Sequence, residues 1–523
     1  MIDKLKGLGL VALAACVLAA CGGNGSSGAV EDDSGTRGSL VQNPPLRTAS
    51  LTAAAFAANL NATTSGQQLV QVAGAPTCGV DFYYIQYGTV DGSAQQKGTT
   101  ASGVLMVPTG AAPTCSGPRP IVLYAHGTTT DRGYNLAAIA DTTNAANGEA
   151  ALIAAMFAGQ GYIVVAPNYV GYDASPTLIH PYLNADQQSK EMIDALAAAK
   201  KALGNVFASG TTSNGKLFVT GYSQGGHVAM ATVRAMQGAG TTVTASAPMS
   251  GPYAMEAFSD AILFGSVNIG ATVFMPLITT SYQSAYGNVY TSGPGDIYDP
   301  MYATGIDTLL PTTTPLTTLF TQGKLPQTAL FNSATPGTGG QPSSGIPALD
   351  AELAVPANPL FALGFGSPNL ILNSVRIAYA LDAVANPDGA VPTPTAGVPV
   401  AAASGYGLRA DVRTNDMRNP VWAPNAPMLL CGGNADPTVF FSVNAQTMQA
   451  FWGALPAGLV TVLDVDSAPT GASDPFAAAK VGFAQAKAAV FAAGGQNAVV
   501  QEYHGTLVPP FCAASARGFF SQF

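Results

Sequence analysis

The chain has 523 residues, enough for one large domain with an insertion or for two domains. Charged residues are only 9% of it, against about 25% in an average protein, while 48% are hydrophobic, so much of the surface must be neutral. The net charge of −9 argues against nucleic acid as a partner.

The N-terminus reads as an address. Lys4 and Lys6 precede an apolar stretch from Leu8 to Ala20. That stretch is short for a membrane span and fits a secretory signal. It ends in Leu18-Ala19-Ala20-Cys21-Gly22, which resembles the lipobox of bacterial lipoproteins. The resemblance implies a signal peptide over residues 1–20, lipidation of Cys21 and membrane attachment through that lipid. Gly22 is not the aspartate that retains such lipoproteins at the inner membrane, so the resemblance points to the outer membrane. An ordinary signal peptide cut near the same alanines, with a periplasmic or extracellular product, is the plainer alternative. Gly22 to Gly38 is rich in Gly and Ser and carries Glu31, Asp32 and Asp33, so residues 21–50 are expected to form a flexible tether. No later stretch is long and apolar enough to span a bilayer.

Of six cysteines, Cys16 leaves with the signal and Cys21 carries lipid. Cys78, Cys115, Cys431 and Cys512 remain, an even number for an oxidising compartment, with three pairings possible. None of their spacings resembles a zinc site.

The body begins with strand patterns at Asp81 to Tyr87 and Thr100 to Val107, joined by a polar turn. Arg119 to Ala125 is a third strand, running into His126-Gly127-Thr128. Ala137 to Ala158 is alanine-rich and predicts a helix. Tyr162 to Ala166 is a buried strand ending in Pro167-Asn168-Tyr169. Ala185 to Leu203 predicts a helix with Met192, Leu196 and Ala199 on one face. Leu217 to Thr220 is a short buried strand, followed at once by a helical pattern with Val228, Ala231 and Ala235 on one face. Thr242 to Pro248 is the next strand. Strands alternating with helices imply a parallel sheet covered on both faces.

Between the strand at Leu217 and the helix lies Gly221-Tyr222-Ser223-Gln224-Gly225. A serine on so sharp a strand-to-helix turn is crowded by its neighbours, and glycine on both sides relieves the crowding. The turn presents the hydroxyl at a helix N-terminus, where free N–H groups favour developing negative charge.

These pieces together resemble the α/β-hydrolase fold, in the branch of secretory lipases and esterases like Candida lipase A. The matching residues are Tyr124-Ala125-His126-Gly127-Thr128, Ala166-Pro167-Asn168-Tyr169-Val170-Gly171-Tyr172, His180-Pro181-Tyr182-Leu183, Gly221 to Gly226, and Ser250-Gly251-Pro252-Tyr253. The resemblance covers roughly Cys78 to Tyr253 and Pro427 to Phe523. It implies an α/β class with a mostly parallel central sheet, helices on both faces and a large cap insertion. Residues 51–253 and 426–523 would form the core, and 254–425 the cap or lid. Within that fold the favoured disulfides are Cys78–Cys115 and Cys431–Cys512, because each joins segments that the fold brings together.

The middle of the chain interrupts the alternation. Phe258 to Ile269 and Val273 to Ile278 are apolar, Thr308 to Ser344 is rich in Thr, Pro and Gly, and Leu360 to Ala385 is apolar again. An insertion here is where such hydrolases carry a cap, whose apolar residues would wall an acyl site or simply fill a core of their own. The sheet resumes at Pro427 to Val439, a strand ending in a Gly-rich turn that carries Asp436. Gly458 to Val465 is the last strand. Pro475 to Ala493 predicts a helix, and His504 follows in a loop.

A serine hydroxyl needs a base, and the chain has four histidines. His126 shapes the turn after the third strand. His180 sits in a Pro-flanked turn and reads as structural, with a mild effect expected on substitution. His227 lies one helical turn after Ser223 and reads as a packed core residue. His504 lies where the family has its base. Asp436 is the candidate acid, with Asp464 and Asp466 as rivals. Ser223, Asp436 and His504 run in the order expected of the fold. The backbone N–H groups of Gln224 and Thr128 are the candidate oxyanion hole.

The implied chemistry is two-step acyl transfer on carboxylic esters, with no metal or organic cofactor required. The alternatives are a same-fold peptidase, a polyester depolymerase, or a surface lipoprotein that binds without catalysis. No acidic cluster for a substrate amine stands out in the cap, a large cap argues against an open polymer groove, and a non-catalytic descendant tends to lose a triad member.

Overall fold

The computed structural model describes residues 36–206, 210–390 and 399–523. The signal peptide expected over 1–20, Cys16 and the lipidated Cys21 lie outside these residues.

Nine strands form one sheet. In chain order they are β1 (Leu46–Leu51), β2 (Gly79–Val90), β3 (Gly98–Thr109), β4 (Gly117–Ala125), β5 (Ile163–Pro167), β6 (Thr211–Tyr222) and β7 (Ala245–Met249), then, after an insertion containing the two-residue strands β8 (Phe331–Asn332) and β9 (Phe365–Gly366), β10 (Met428–Gly432) and β11 (Val460–Asp464). The spatial order is β1-β2-β3-β5-β4-β6-β7-β10-β11. The β1–β2, β2–β3 and β3–β5 pairings are antiparallel, and every pairing from β5 to β11 is parallel. Parallel strands are covered on both faces, which is why β4 to β7 read as unbroken apolar runs. Helices Ala185–Leu203 and Gln224–Gly238 pack together over one face, and Asn147–Met156 and Val508–Phe520 pack together over the other. The C-terminal ends of β6 and β10 point toward one edge, and it is there that an α/β sheet presents its ligands.

Three segments of the fold differ from what the sequence predicts. First, the tether expected over 21–50 ends sooner. Arg37 pairs with Gly88 on β2 and its guanidinium lies 3.0 Å from Asp194, while Leu46 onward forms β1. Second, residues 53–73 form two helices, Ala53–Asn61 and Thr64–Ala73, capped by Thr52 and Thr63 side chains that accept from Ala55 N and Gly66 N. Their Ala- and Gln-rich sequence has too weak an apolar face to announce them. Third, the helix expected from Ala137 to Ala158 is only Asn147–Met156. Asp141 Oδ1 takes Thr143 N, and Asn144 Oδ1 takes both Asn135 N and Ala146 N. Such side-chain bonds hold the backbone in turns instead of helix.

Both disulfides form as expected, Cys78–Cys115 and Cys431–Cys512. No described helix is long and apolar enough to cross a membrane.

The insertion between β7 and β10 is helical and has its own core, in which Leu263, Val273, Leu277, Phe331, Ile371 and Tyr379 are buried. Two fully buried arginines lock its return to the sheet. Arg409 lies 2.8 Å from Asp260 and 3.1 Å from Asp382, and Arg418 lies 2.6 Å from Asp388 and 2.7 Å from Asp416. More carboxylates than arginines occupy this layer. Burial, reinforced by neighbouring Asp388, pushes Glu256 up to about 9 against the pull of Arg409. Burial likewise pushes Asp411 to about 7, and Glu191, in the helix Ala185–Leu203, to about 8. These groups hold protons that the unfolded chain releases near pH 4. Their contribution is complete below the ordinary carboxylate range, declines from about pH 4 at about 1.4 kcal/mol per pH unit for each proton that only the folded state still binds, and is gone once pH passes about 7 for Asp411, about 8 for Glu191 and about 9 for Glu256. Buried His180 and His227, pushed down to about 3 and 4, are neutral in both states above about pH 7 and drop out of this balance. The thermal midpoint is therefore expected to fall between about pH 7 and 9. A calorimetric series that stays level over that range would contradict the protonated assignment.

Candidate active site

Ser223 sits between β6 and the helix Gln224–Gly238 with φ 60° and ψ −121°, a conformation that L-residues rarely adopt. The turn is tight because the helix N-terminus packs onto the end of β4. A Cβ on Gly225 would lie 1.9 Å from Ala125 O, and one on Gly221 would lie 2.3 Å from Gly225 O. Glycine is therefore required at both positions. Ser223 N donates to Met249 O at 3.0 Å, which ties the turn to the end of β7.

The acid comes from the next parallel strand. β10 ends at Gly432, and the turn that follows carries Asp436, 4% exposed. Asp436 Oδ1 accepts from Thr438 N at 2.9 Å and Val439 N at 3.1 Å. Its Oδ2 accepts from His504 Nδ1 at 2.7 Å. A carboxylate only accepts, so the imidazole proton is on Nδ1 and Nε2 is left as an acceptor. Ser223 Oγ donates to that Nε2 at 2.8 Å. The three residues expected to act together are thus one hydrogen-bonded chain.

His504 is not in an open loop. It lies in a π-helical turn, Tyr503–Leu507, between the helix Ala477–Glu502 and the helix Val508–Phe520. Two tyrosines that the sequence reading passed over hold it. Tyr222 OH donates to His504 O at 2.6 Å. Tyr503 OH donates to Asp466 Oδ2 at 2.7 Å and accepts from Ala435 N at 3.2 Å, joining the base turn to the acid turn. Their positions beside Ser223 and His504 were the available signal. The rival acids are occupied here as well: Asp464 accepts from Asn434 N and Nδ2, and Asp466 also takes Lys487.

Gln224 is the first residue of its helix, so its N–H stands outside the intrahelical ladder. Its side chain is held from behind. Gln224 Nε2 donates to His180 Nε2 at 2.7 Å, and His180 Nδ1 donates to Val170 O at 2.8 Å. Burial pushes His180 down to about 3, so the ring stays neutral and can accept. Thr128 lines the same cleft as Ser223, with its Oγ1 2.8 Å from Tyr182 OH. Glu149 braces the loop beneath it, accepting from Gly127 N at 3.2 Å, Tyr124 OH at 2.9 Å and Tyr134 OH at 2.6 Å. His126 is fully buried, stacked on Tyr169 with ring centroids 4.0 Å apart, and its two nitrogens face Gly127 O and Asn168 O. His227 Nε2 donates to Asn415 O at 2.8 Å inside the core. Both therefore lie away from the serine hydroxyl, as the sequence suggested.

Ser223 and His504 open onto a cleft of about 2250 Å³. Among the described residues, the charged ones that line it are Glu149 and Glu502. The insertion contributes Gly270, Val273, Phe274 and Leu316, while the two N-terminal helices and the helix Ala477–Glu502 form much of the wall. Of the two readings the sequence left open for the insertion, its apolar residues mostly fill a core of its own, and a few of them border the cleft. Among the described residues no cluster of His, Cys, Asp and Glu is arranged to hold a metal ion.

No protein-family profile matches the chain, and no curated protein matches it in sequence. Solved structures do. The rice cell wall degrading esterase LipA from Xanthomonas oryzae superposes with a TM-score of 0.60 at 25% identity, over 89% of this chain and 98% of that one. A protein of Legionella pneumophila superposes at 0.59 with 18% identity, over 92% and 97%. Candida antarctica lipase A gives 0.43 at 12% identity, over 82% and 76%, too remote to argue from. Sheet order, the strained serine turn and the first two superpositions lead to one conclusion: the chain has the α/β-hydrolase fold.

Proposed function

We propose that the protein is an exported serine hydrolase that cleaves carboxylic esters. The observation that carries this reading is the unbroken chain Asp436–His504–Ser223 opening onto a cleft with no Lys or Arg among its described lining residues. Ser223 Oγ attacks the ester carbonyl carbon while its proton passes to His504 Nε2. Asp436 stabilises the resulting imidazolium and fixes the ring. The N–H groups of Gln224 and Thr128 stabilise the oxyanion, each worth about 3 kcal/mol in comparable sites. Collapse of the tetrahedral species breaks the C–O bond, and His504 returns the proton to the departing alcohol. Water, deprotonated by His504, then attacks the acyl-enzyme and frees the acid and Ser223. The esterase activity named for the Xanthomonas structure supports the reading. The two disulfides support export, and Cys21 is the proposed lipid anchor.

A peptidase reading gains little from the cleft: Glu149 already accepts three hydrogen bonds, and Glu502 alone is not the cluster of acids expected to hold a substrate amine. Hydrolysis of p-nitrophenyl esters by the mature chain tests the proposal. Turnover that disappears in Ser223→Ala is expected; turnover retained by that variant would refute it.

His180 enters this mechanism as a positioning residue, more important than its place in a Pro-flanked turn suggested. His180→Ala leaves Gln224 Nε2 buried without its acceptor and loosens the residue that supplies an oxyanion donor. A fall in kcat of about tenfold with KM nearly unchanged is expected, because the oxyanion forms only in the transition state. A rise in KM at constant kcat would contradict this role.

A further inference from the structure

The cleft is larger than one small ester requires. Pockets for drug-sized ligands run about 300–1,000 Å³, and this one is about 2250 Å³. Away from Ser223 it becomes a channel between two helices. Leu69 and Val72 of Thr64–Ala73 form one wall. Ala486, Ala489, Val490 and Ala493 of Ala477–Glu502 form the other, at the i, i+3, i+4, i+7 spacing of a single helix face. That helix borders the cleft from Ala478 to Ala493, about 22 Å at 1.5 Å per residue.

The chemistry of the walls selects the occupant. With no Lys or Arg among its described lining residues the channel offers no counter-ion to a phosphate, sulfate or carboxylate. Of its two acids, Glu149 already accepts three hydrogen bonds from its surroundings. Ser65, Gln68, Gln71 and Gln485 also line it, so the walls mix uncharged polar groups with the apolar face of Ala486, Ala489, Val490 and Ala493 and offer no charge to a headgroup. An uncharged chain fits such a surface, because each methylene removed from water adds favourable free energy without needing a partner. The acyl part of an ester meets a further requirement. It stays bonded to Ser223 Oγ through both half-reactions, so the space onto which Ser223 opens must house it after the alcohol has left.

We propose that the channel between the helices Thr64–Ala73 and Ala477–Glu502 binds the long acyl chain of the substrate. The site lies outside the cap insertion, and the inference rests on the ester-hydrolase reading above. Binding energy gathered along the channel is realised in the acylation transition state, so kcat/KM rises with acyl length.

Substitutions on the exposed rim of the channel test this without disturbing the core. Ala489 and Ala493 are solvent-exposed and line the channel, whereas Ala488 is exposed on the same helix and does not line it. Steady-state kinetics with p-nitrophenyl acetate, octanoate and dodecanoate are compared with those of octyl and dodecyl acetate. For the natural chain, kcat/KM is expected to be at least about tenfold higher for dodecanoate than for acetate. Ala489→Trp, which fills the channel, is expected to cut that ratio by about tenfold or more, with Ala493→Trp as a second blocking variant should the first fold poorly. Ala488→Trp is expected to keep the ratio. An unchanged ratio in both blocking variants overturns the proposal, and so does a loss confined to long alkyl acetates, which would place the alcohol in the channel. Absence of turnover on every ester, with Ser223 unmodified by a fluorophosphonate, overturns instead the ester reading beneath it.

Discussion

His504→Ala is expected to lower kcat for ester hydrolysis by about 10⁴- to 10⁶-fold while leaving the fold in place. The ring is the only link between Asp436 Oδ2 and Ser223 Oγ, at 2.7 Å and 2.8 Å. Without it the hydroxyl keeps its proton at neutral pH and the leaving alkoxide has no acid. The fold has little stake in the side chain, since the turn is held by the backbone bond from Tyr222 OH and by Tyr503. Matched kinetics and thermal melts of the two forms check both halves of the expectation. Activity within about tenfold of the natural chain would mean that another group takes the proton, and none of the remaining histidines is placed to do so. A midpoint lowered sharply in parallel would instead make the loss a folding effect.

Removing the Cys431–Cys512 disulfide is expected to cost about 4 kcal/mol of stability. The bond closes a loop spanning 81 residues, and the chain-entropy account of such a loop gives a value of that order. The location matters as much as the size. Cys431 is on β10, five residues before Asp436, and Cys512 is on the helix that begins just after the His504 turn. The bond therefore clamps the strand that leads to Asp436 to the helix that follows the His504 turn. Cys431→Ala with Cys512→Ala is expected to lose activity at temperatures where the bulk of the sheet is still folded. Denaturant melts followed by both fluorescence and ester turnover would show the two transitions separating. Coincident transitions at the natural midpoint would remove the clamp from the account. The Cys78–Cys115 bond, which closes 37 residues near the antiparallel edge, is expected to affect stability without this separation.

Much of this site could be read before any coordinates. Gly221-Tyr222-Ser223-Gln224-Gly225 between an apolar strand and a helical pattern admits few backbone solutions, and the close approach at Ala125 O shows why both glycines are needed. With four histidines in the chain, the choice of base was small. The parallel strands were legible because strands buried on both faces leave continuous apolar runs. What escaped the sequence was local or relational. The helices Ala53–Asn61 and Thr64–Ala73 are too rich in Ala, Gln and Thr to show a face, and they gain stability only by packing against the core through Phe56, Leu60 and Leu69. The alanine run near residue 140 looked helical, but Asp141 and Asn144 turn the chain. The contact between His180 and Gln224 joins residues 44 apart and carries no sequence signature. The insertion shows as a break in alternation, yet whether its apolar residues face a cleft or one another depends on tertiary packing, which turns most of them inward.

The most direct test of the central claim is intact-mass and peptide mass spectrometry of the mature chain after brief exposure to a fluorophosphonate, in parallel with Ser223→Ala. The account predicts one adduct per chain, on Ser223, formed with simultaneous loss of ester turnover and absent in the variant. An adduct on another residue, or turnover that survives full labelling of Ser223, would contradict it.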